Sequence, residues 1–294
     1  MAARSGRFLM LGTVGIAFYA LIVFACGKLG WQHLGLLVLA WTCSAPQRGA
    51  RAFMLGWWPV VLFWLGYDSM RLFAESLLPR VAVEAPYQWE KALFPAPTGE
   101  IWPFLLTRWR ETHHGMLALS LSLLGNVVYF SHIFGVPLIL MILWLRKRTL
   151  LFRRLVWGLT VLHIAALAIY LAYPAAPPWW VYENGMVRPT ASHQMPSGAD
   201  KGAVPRGLFN YSANKFAAIP SLHGAYPLLL TAVLVLHGAR PGCVALAAVY
   251  AAAMWAACVF LNQHYIIDLV IGALLVPLGL PAARRPPDHL AKQA

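Results

Sequence analysis

Two short polar islands hold the groups able to do chemistry. Residues 219–227 read IPSLHGAYP and contain His223, and residues 262–268 read NQHYIID and contain His264 and Asp268; each lies at the edge of a membrane-length apolar run. Four residues separate His264 from Asp268, so a helix there would put both on one face with the carboxylate one turn deeper. A carboxylate so placed fixes the tautomer of the imidazole and stabilises a positive ring, leaving the other nitrogen free to attack phosphorus. His223 is then the acid. Each histidine alone also fits a plainer role, bonding a backbone carbonyl or bracing a helix start. An ionisable pair within an apolar run is costly, however, and function is its default reading. Ser221 suits a helix cap or an orienting hydroxyl better than a nucleophile, because nothing supplies the rest of a serine triad. His132 and His163 fall inside spans and are expected to be satisfied by neighbouring helices, with substrate contact the alternative for His132. His113 and His114 form a solvated pair without a third metal ligand.

The elements that position these groups are membrane helices. The chain is 60% hydrophobic and 11% charged, with 13 tryptophans and a mean hydropathy of +0.62, values of a polytopic membrane protein rather than a soluble domain. Runs near 8–26, 52–67, 116–145, 154–173, 220–237, 243–261 and 265–281 are each long enough to cross a hydrocarbon core of roughly 30 Å. A shorter stretch, 29–45, carries Gln32 and His33 and is counted as a span on topological grounds. The expected fold is all-α, with about eight transmembrane helices (six to eight) forming one catalytic domain over 1–282. Residues 283–294 form a disordered cytoplasmic tail. The run after Arg4 and Arg7 is expected to be an uncleaved first span, since no small-x-small cleavage site follows it.

Charge gives the orientation. With eight spans and the Arg146–Arg154 segment inside, 13 basic residues face the cytoplasm against one acid, and ten basic against nine acidic residues face the other side. The net charge of +13 is thus a positive-inside signal and not a nucleic-acid patch. His223, His264 and Arg71 fall on the extracytoplasmic side. There, residues 68–114 suggest short interfacial helices over Ser69–Leu78 and Trp102–Arg110. The Pro- and Gly-rich stretch 174–218 reads as a functional loop forming a rim over the site. Cys26, Cys43, Cys243 and Cys258 lack zinc or disulfide spacing and are expected to be packing residues.

The two motifs, Ser-x-His followed by His-x-x-x-Asp, resemble the second and third motifs of the type-2 phosphatidic acid phosphatase superfamily. The Pro-Ser-Leu-His spelling resembles the branch of inositol phosphorylceramide synthases and their bacterial relatives, as do Tyr67-Asp68-Ser69-Met70-Arg71, Trp89-Glu90-Lys91-Ala92-Leu93-Phe94, Tyr129-Phe130-Ser131-His132 and the run from Tyr173 to Trp179. That resemblance implies an enzyme of the bacterial cell membrane needing no metal or cofactor. Its His264 would form a phosphohistidine, Asp268 would orient it, and His223 would protonate the leaving alcohol. It further implies phospholipid and lipid-alcohol substrates, with an inositol-phosphate head group as one possibility. A lipid phosphate phosphatase using water is the alternative; a non-catalytic lipid transporter fits less well, because transporters place ionisable groups near the midplane of repeats. The phosphatases grip phosphate partly through an arginine six residues before the third-motif histidine, where this chain has Cys258. Arg71, which matches the branch motif, is the first candidate cation, followed by Lys215 and Arg206.

The charge asymmetry makes a direct prediction. A cysteine introduced at Ser197 should be labelled by an impermeant maleimide from the extracytoplasmic side, and one at Thr149 should not; labelling of both from one side would contradict eight spans.

Overall fold

The computed structural model describes residues 2–26, 48–190 and 213–284 of the 294-residue chain. The described residues are helical throughout, with only isolated bridges between extended segments. The elements are α1 (Ala2–Ala25), α2 (Arg48–Leu77), α3 (Glu84–Leu93), α4 (Trp102–Thr112), α5 (Met116–Leu145), α6 (Thr149–Ala172), α7 (Pro178–Asn184), α8 (Leu222–Leu236), α9 (Pro241–Phe260) and α10 (Ile266–Arg284). Three of them, α5, α6 and α9, are long and apolar enough to cross a membrane, and Thr13–Ala25, Leu222–Leu236 and Ile266–Pro281 are shorter apolar helices. The expected span at 29–45 lies outside the described residues; of the tail expected over 283–294, residues 283 and 284 instead continue the last helix, and the rest lies outside the described residues.

The chain divides into two compact units, Met1–Phe73 and Ala74–Ala294. In the first, Ile16 and Tyr19 of α1 pack against Val61, Trp64 and Leu65 of α2. The Tyr19 hydroxyl donates to Asp68 Oδ2 at 2.6 Å, and Arg71 Nε donates to Asp68 Oδ1 at 2.7 Å. Here the expectation of a separate interfacial helix over Ser69–Leu78 is corrected. The helix that begins at Arg48 runs unbroken to Leu77. Polar side chains after Tyr67 resemble the end of a span, but residues 67–77 contain no proline or glycine to release the backbone.

In the second unit α6 is the central helix, burying side chains from Phe152 to Tyr170. It packs against α10, α8 and α5, while α9 packs on α8, α5 and α4. Helix α5 buries little beyond Ala118, Gly125 and Leu140 and exposes Leu117, Leu119, Leu123, Phe134 and Leu138, as a lipid-facing helix does. Two backbone approaches set the bundle. A Cβ on Gly279 would stand 2.8 Å from the Gly158 carbonyl oxygen, and one on Gly272 would stand 2.3 Å from that of Ser221. Both approaches therefore depend on residues without side chains, as in other tightly packed membrane helices.

Three extended segments join the loops above the bundle. Ala82 N–H donates to the Pro174 carbonyl at 2.8 Å, Ala176 N–H to that of Ala82 at 2.9 Å, and Ala175 N–H to that of Phe216 at 2.9 Å. The stretch after Pro174 is not all loop: Pro178 starts α7, and Trp179, Trp180 and Val181 form an apolar cluster with Val81, Val83 and Phe216. Proline at the first helical position is compatible with the helix because that N–H would be unpaired anyway.

Gly272→Ala should cost about 1–3 kcal/mol and most of the activity, since its methyl would push α10 away from Ser221. Gly242→Ala, which meets open space, should leave the thermal melt and activity unchanged.

Candidate active site

The crossing of α8 and α10 builds the site. Ser221 caps α8, its Oγ accepting from Gly224 N–H at 3.4 Å, and its own N–H donates to the Asp268 carbonyl at 3.0 Å. Tyr170 of α6 holds the preceding turn, its hydroxyl donating to the Pro220 carbonyl at 2.7 Å. His223, two residues into the sequence after the cap, projects from the first turn of α8. Gly224 lets neighbours close in behind it: a Cβ there would stand 2.8 Å from Leu269 Cδ2 and 2.9 Å from Trp255 Nε1.

His264 precedes α10, which starts at Ile266, so the shared-face geometry expected for a helix through both residues is replaced by a capping turn. That turn still brings the pair together. His264 Nδ1 lies 3.2 Å from Asp268 Oδ2, and Tyr265 N–H donates to the same oxygen at 3.0 Å. The other ring nitrogen, His264 Nε2, lies 3.1 Å from His223 Nδ1. An ionised Asp268 can only accept, so His264 carries its proton on Nδ1 and presents a bare Nε2 to His223. Asp268 is fully buried and His264 nearly so. The line Asp268–His264–His223 can pass a proton, and once His223 yields its place, it can present an unprotonated nitrogen to an electrophile.

Two aromatic side chains of α5 flank His223. The Tyr129 ring stacks on it with centroids 4.6 Å apart, and the His132 ring meets it edge-on at 4.1 Å. His132 Nδ1 is satisfied by the Tyr129 carbonyl. Sequence reasoning assigned no role to Tyr129, whose place depends on how α5 crosses α8. His163 is remote from this group in its bonding and pairs with the Tyr226 hydroxyl.

A second residue, Glu90 of α3, lies in the motif Trp89–Phe94 that resembles the synthase branch but was given no role from sequence. Its two carboxylate oxygens accept from Ile266 N–H and Ile267 N–H, each at 3.0 Å, across 176 and 177 residues of chain. Burial pushes the Glu90 carboxyl up to about 7, against the two amides that favour its charged form. Nearby, Trp179 N–H donates to the Asn262 carbonyl at 3.1 Å, so α7 braces the turn leading to His264.

Of the expected cations, Lys215 is half-buried, with its ammonium pushed below its ordinary value by burial. Arg71 belongs to the first unit and is bound to Asp68. Arg206 lies outside the described residues. Arg110 of α4 is a further, buried cation: its Nη2 donates to Thr107 Oγ1 at 3.1 Å, its guanidinium sits 5.3 Å above the Phe260 ring, and burial lowers it to about 10. Cys258, at the position where the phosphatases carry arginine, is buried, whereas Cys26 and Cys243 are exposed and so are not packed in a protein core. Among the described residues no group of three His, Cys, Asp or Glu side chains could hold a metal ion.

Residues 102–282, more than half of the chain, match the family described as the PAP2 superfamily. The chain belongs to that superfamily. This PAP2 match runs from α4 into α10 and includes Tyr129, His132, His223, His264 and Asp268. Two curated relatives align with most of the chain. The phosphoinositol dihydroceramide synthase of Bacteroides thetaiotaomicron is 25% identical over 276 residues, covering 90% of this chain and 87% of its own. The inositol phosphorylceramide synthase of Candida albicans is 24% identical over 269 residues, covering 89% of this chain and 54% of its own length. No solved structure matches the chain. The resemblance expected from the motifs is therefore found, and the protein is an integral membrane enzyme of the PAP2 superfamily, in the branch of these synthases.

Proposed function

We propose that this protein is a membrane lipid phosphotransferase that takes a phosphoryl-containing head group from a phospholipid, holds it on His264 and delivers it to a lipid hydroxyl. The observation that carries the reading is the line from Asp268 Oδ2 through both nitrogens of His264 to His223 Nδ1, at 3.2 and 3.1 Å. Substrate enters by parting the two rings. His264 Nε2 then bonds to phosphorus as the phosphorus–oxygen bond to the departing alcohol breaks, and His223, entering the step as the imidazolium, gives that oxygen its Nδ1 proton and is left neutral. In the second half His223 takes the proton of the acceptor hydroxyl, the new oxygen–phosphorus bond forms, and the bond to His264 breaks. Asp268 holds the proton on Nδ1 throughout and stabilises the positive ring.

The names of the two relatives, both synthases of inositol-phosphate-bearing ceramides, support an inositol phospholipid as donor and a ceramide-type hydroxyl as acceptor. A pocket that admits this alcohol while excluding water separates transfer from hydrolysis. We place the site on the extracytoplasmic side of a bacterial inner membrane, in an eight-span chain with α4 lying along the interface, on the strength of the basic-residue distribution. Cations must hold the equatorial phosphate oxygens. Arg71 is the first of these because a planar guanidinium suits phosphate; Lys215, Arg206 and Arg110 follow.

In mixed liposomes the purified protein should create a new phospholipid class, read by mass spectrometry. His264→Ala and His223→Ala should each abolish it, and Asp268→Asn should slow it by on the order of 10² to 10⁴ fold while the protein stays folded. Arg71→Ala should be nearly inactive and Arg71→Lys impaired in the same assay. Free phosphate as the sole product would replace the transferase reading with a phosphatase, and an active His264→Ala would remove the phosphohistidine.

A further inference from the structure

The amides of Tyr265, Ile266 and Ile267 open α10 between His264 and Asp268, and two buried carboxylates take all three. One is Asp268 itself. The other, Glu90, comes from α3, outside the stretch that matches the superfamily, and is fully buried. It grips two consecutive amides, one with each oxygen. The turn that carries His264 is thus pinned at a point two residues after the imidazole and one before the carboxylate. From the last helix and the turn before it, Asp268 and Tyr265 are the titratable groups whose charge Glu90 meets. On its own helix Tyr87 lies one turn back and Lys91 is exposed.

We propose that Glu90 is a positioning residue for the phosphoryl-transfer site: its carboxylate, by holding the amides of Ile266 and Ile267 together, fixes the separation of His264 from Asp268 and aims His264 Nε2. This rests on the reading of His264 and Asp268 given above. Only the ionised carboxylate has two equivalent acceptors for two donors. A protonated acid weakens one, and an amide turns its NH₂ against an N–H. Small displacements of a reacting nitrogen are expensive in rate, so the loss falls on kcat rather than on KM.

A helix cap that served stability alone would behave differently, and the sign of linkage shows how. The carboxyl is raised from 4.5 to about 7 by burial, so the folded state favours its protonated form. The stability this group contributes is complete below its unfolded value and is lost as pH rises through about 7. Glutamine, neutral at every pH, escapes that loss.

The test is Glu90→Gln in the full-length protein, measured in detergent with a phospholipid donor and ceramide. At pH 8 its kcat should fall about 10- to 100-fold with KM for the donor within about twofold, while the variant stays fully folded at the assay temperature. The ratio of wild-type to variant kcat cancels ionisations common to both, and it should shrink toward one at pH 5.5, where Glu90 is itself protonated. A ratio independent of pH, or an activity loss that tracks a fall in Tm, would reduce Glu90 to a structural cap and overturn the proposal. His264→Ala run in parallel keeps the two readings apart: if that variant is active, the phosphohistidine fails whatever Glu90 does.

Discussion

A helix that begins inside protein must find acceptors for the amides its first turn leaves unpaired, because each unmet buried donor costs about 1–3 kcal/mol. For α10 the acceptors are carboxylates, and negative charge is also what the positive end of a helix favours. Asp268 bends back to Tyr265 N–H and Glu90 reaches in from α3. Everything else about the site follows from that solution. The Asp268 oxygen that caps the helix is the one that meets His264, so capping and orientation of the imidazole are a single contact. The same turn brings the Asp268 carbonyl to Ser221 N–H, which registers α8 against α10 and delivers His223 to His264.

That register needs close backbones. Gly272 gives way to the Ser221 carbonyl and Gly224 to Trp255 and Leu269, so the residues nearest the histidines are chosen for what they lack. Around them the chemistry-bearing side chains are tied to more than one element. His223 has Tyr129 and His132 of α5 on its faces, and the turn before His264 is held by α7 through Asn262. On the proposed function, such multiple support keeps His264 Nε2 within the narrow tolerance that phosphoryl transfer requires.

Much of this was legible in the chain. The apolar runs at 116–145 and 243–261 became α5 and α9 nearly residue for residue, because length and hydropathy act locally. The spacing and order that single out His223, His264 and Asp268 are readable without knowledge of the fold, and the structure brings the three side chains together. What could not be read depends on distance in sequence or on cooperation between weak signals. Glu90 sits in a short amphipathic segment and meets its amides 176 residues later. Tyr129 stood in a branch motif without a role until the crossing of α5 and α8 put it against His223. The end placed after Tyr67 followed side-chain polarity, whereas a helix is ended by its backbone, and α2 continues to Leu77. His264 lies before its helix and not within it because Asp268 is the cap, a role that four-residue spacing alone does not distinguish from a shared face.

On the proposed function, His264 Nε2 becomes bonded to phosphorus during turnover. The most direct measurement mixes wild-type protein with head-group-labelled phospholipid donor in the absence of acceptor, quenches in base to preserve a phosphoramidate, and locates the adduct by peptide mass spectrometry. Label should appear on His264, be absent from His264→Ala and accumulate in wild type until a ceramide is added. Label on His223, or turnover of donor with no covalent adduct on His264, would contradict it.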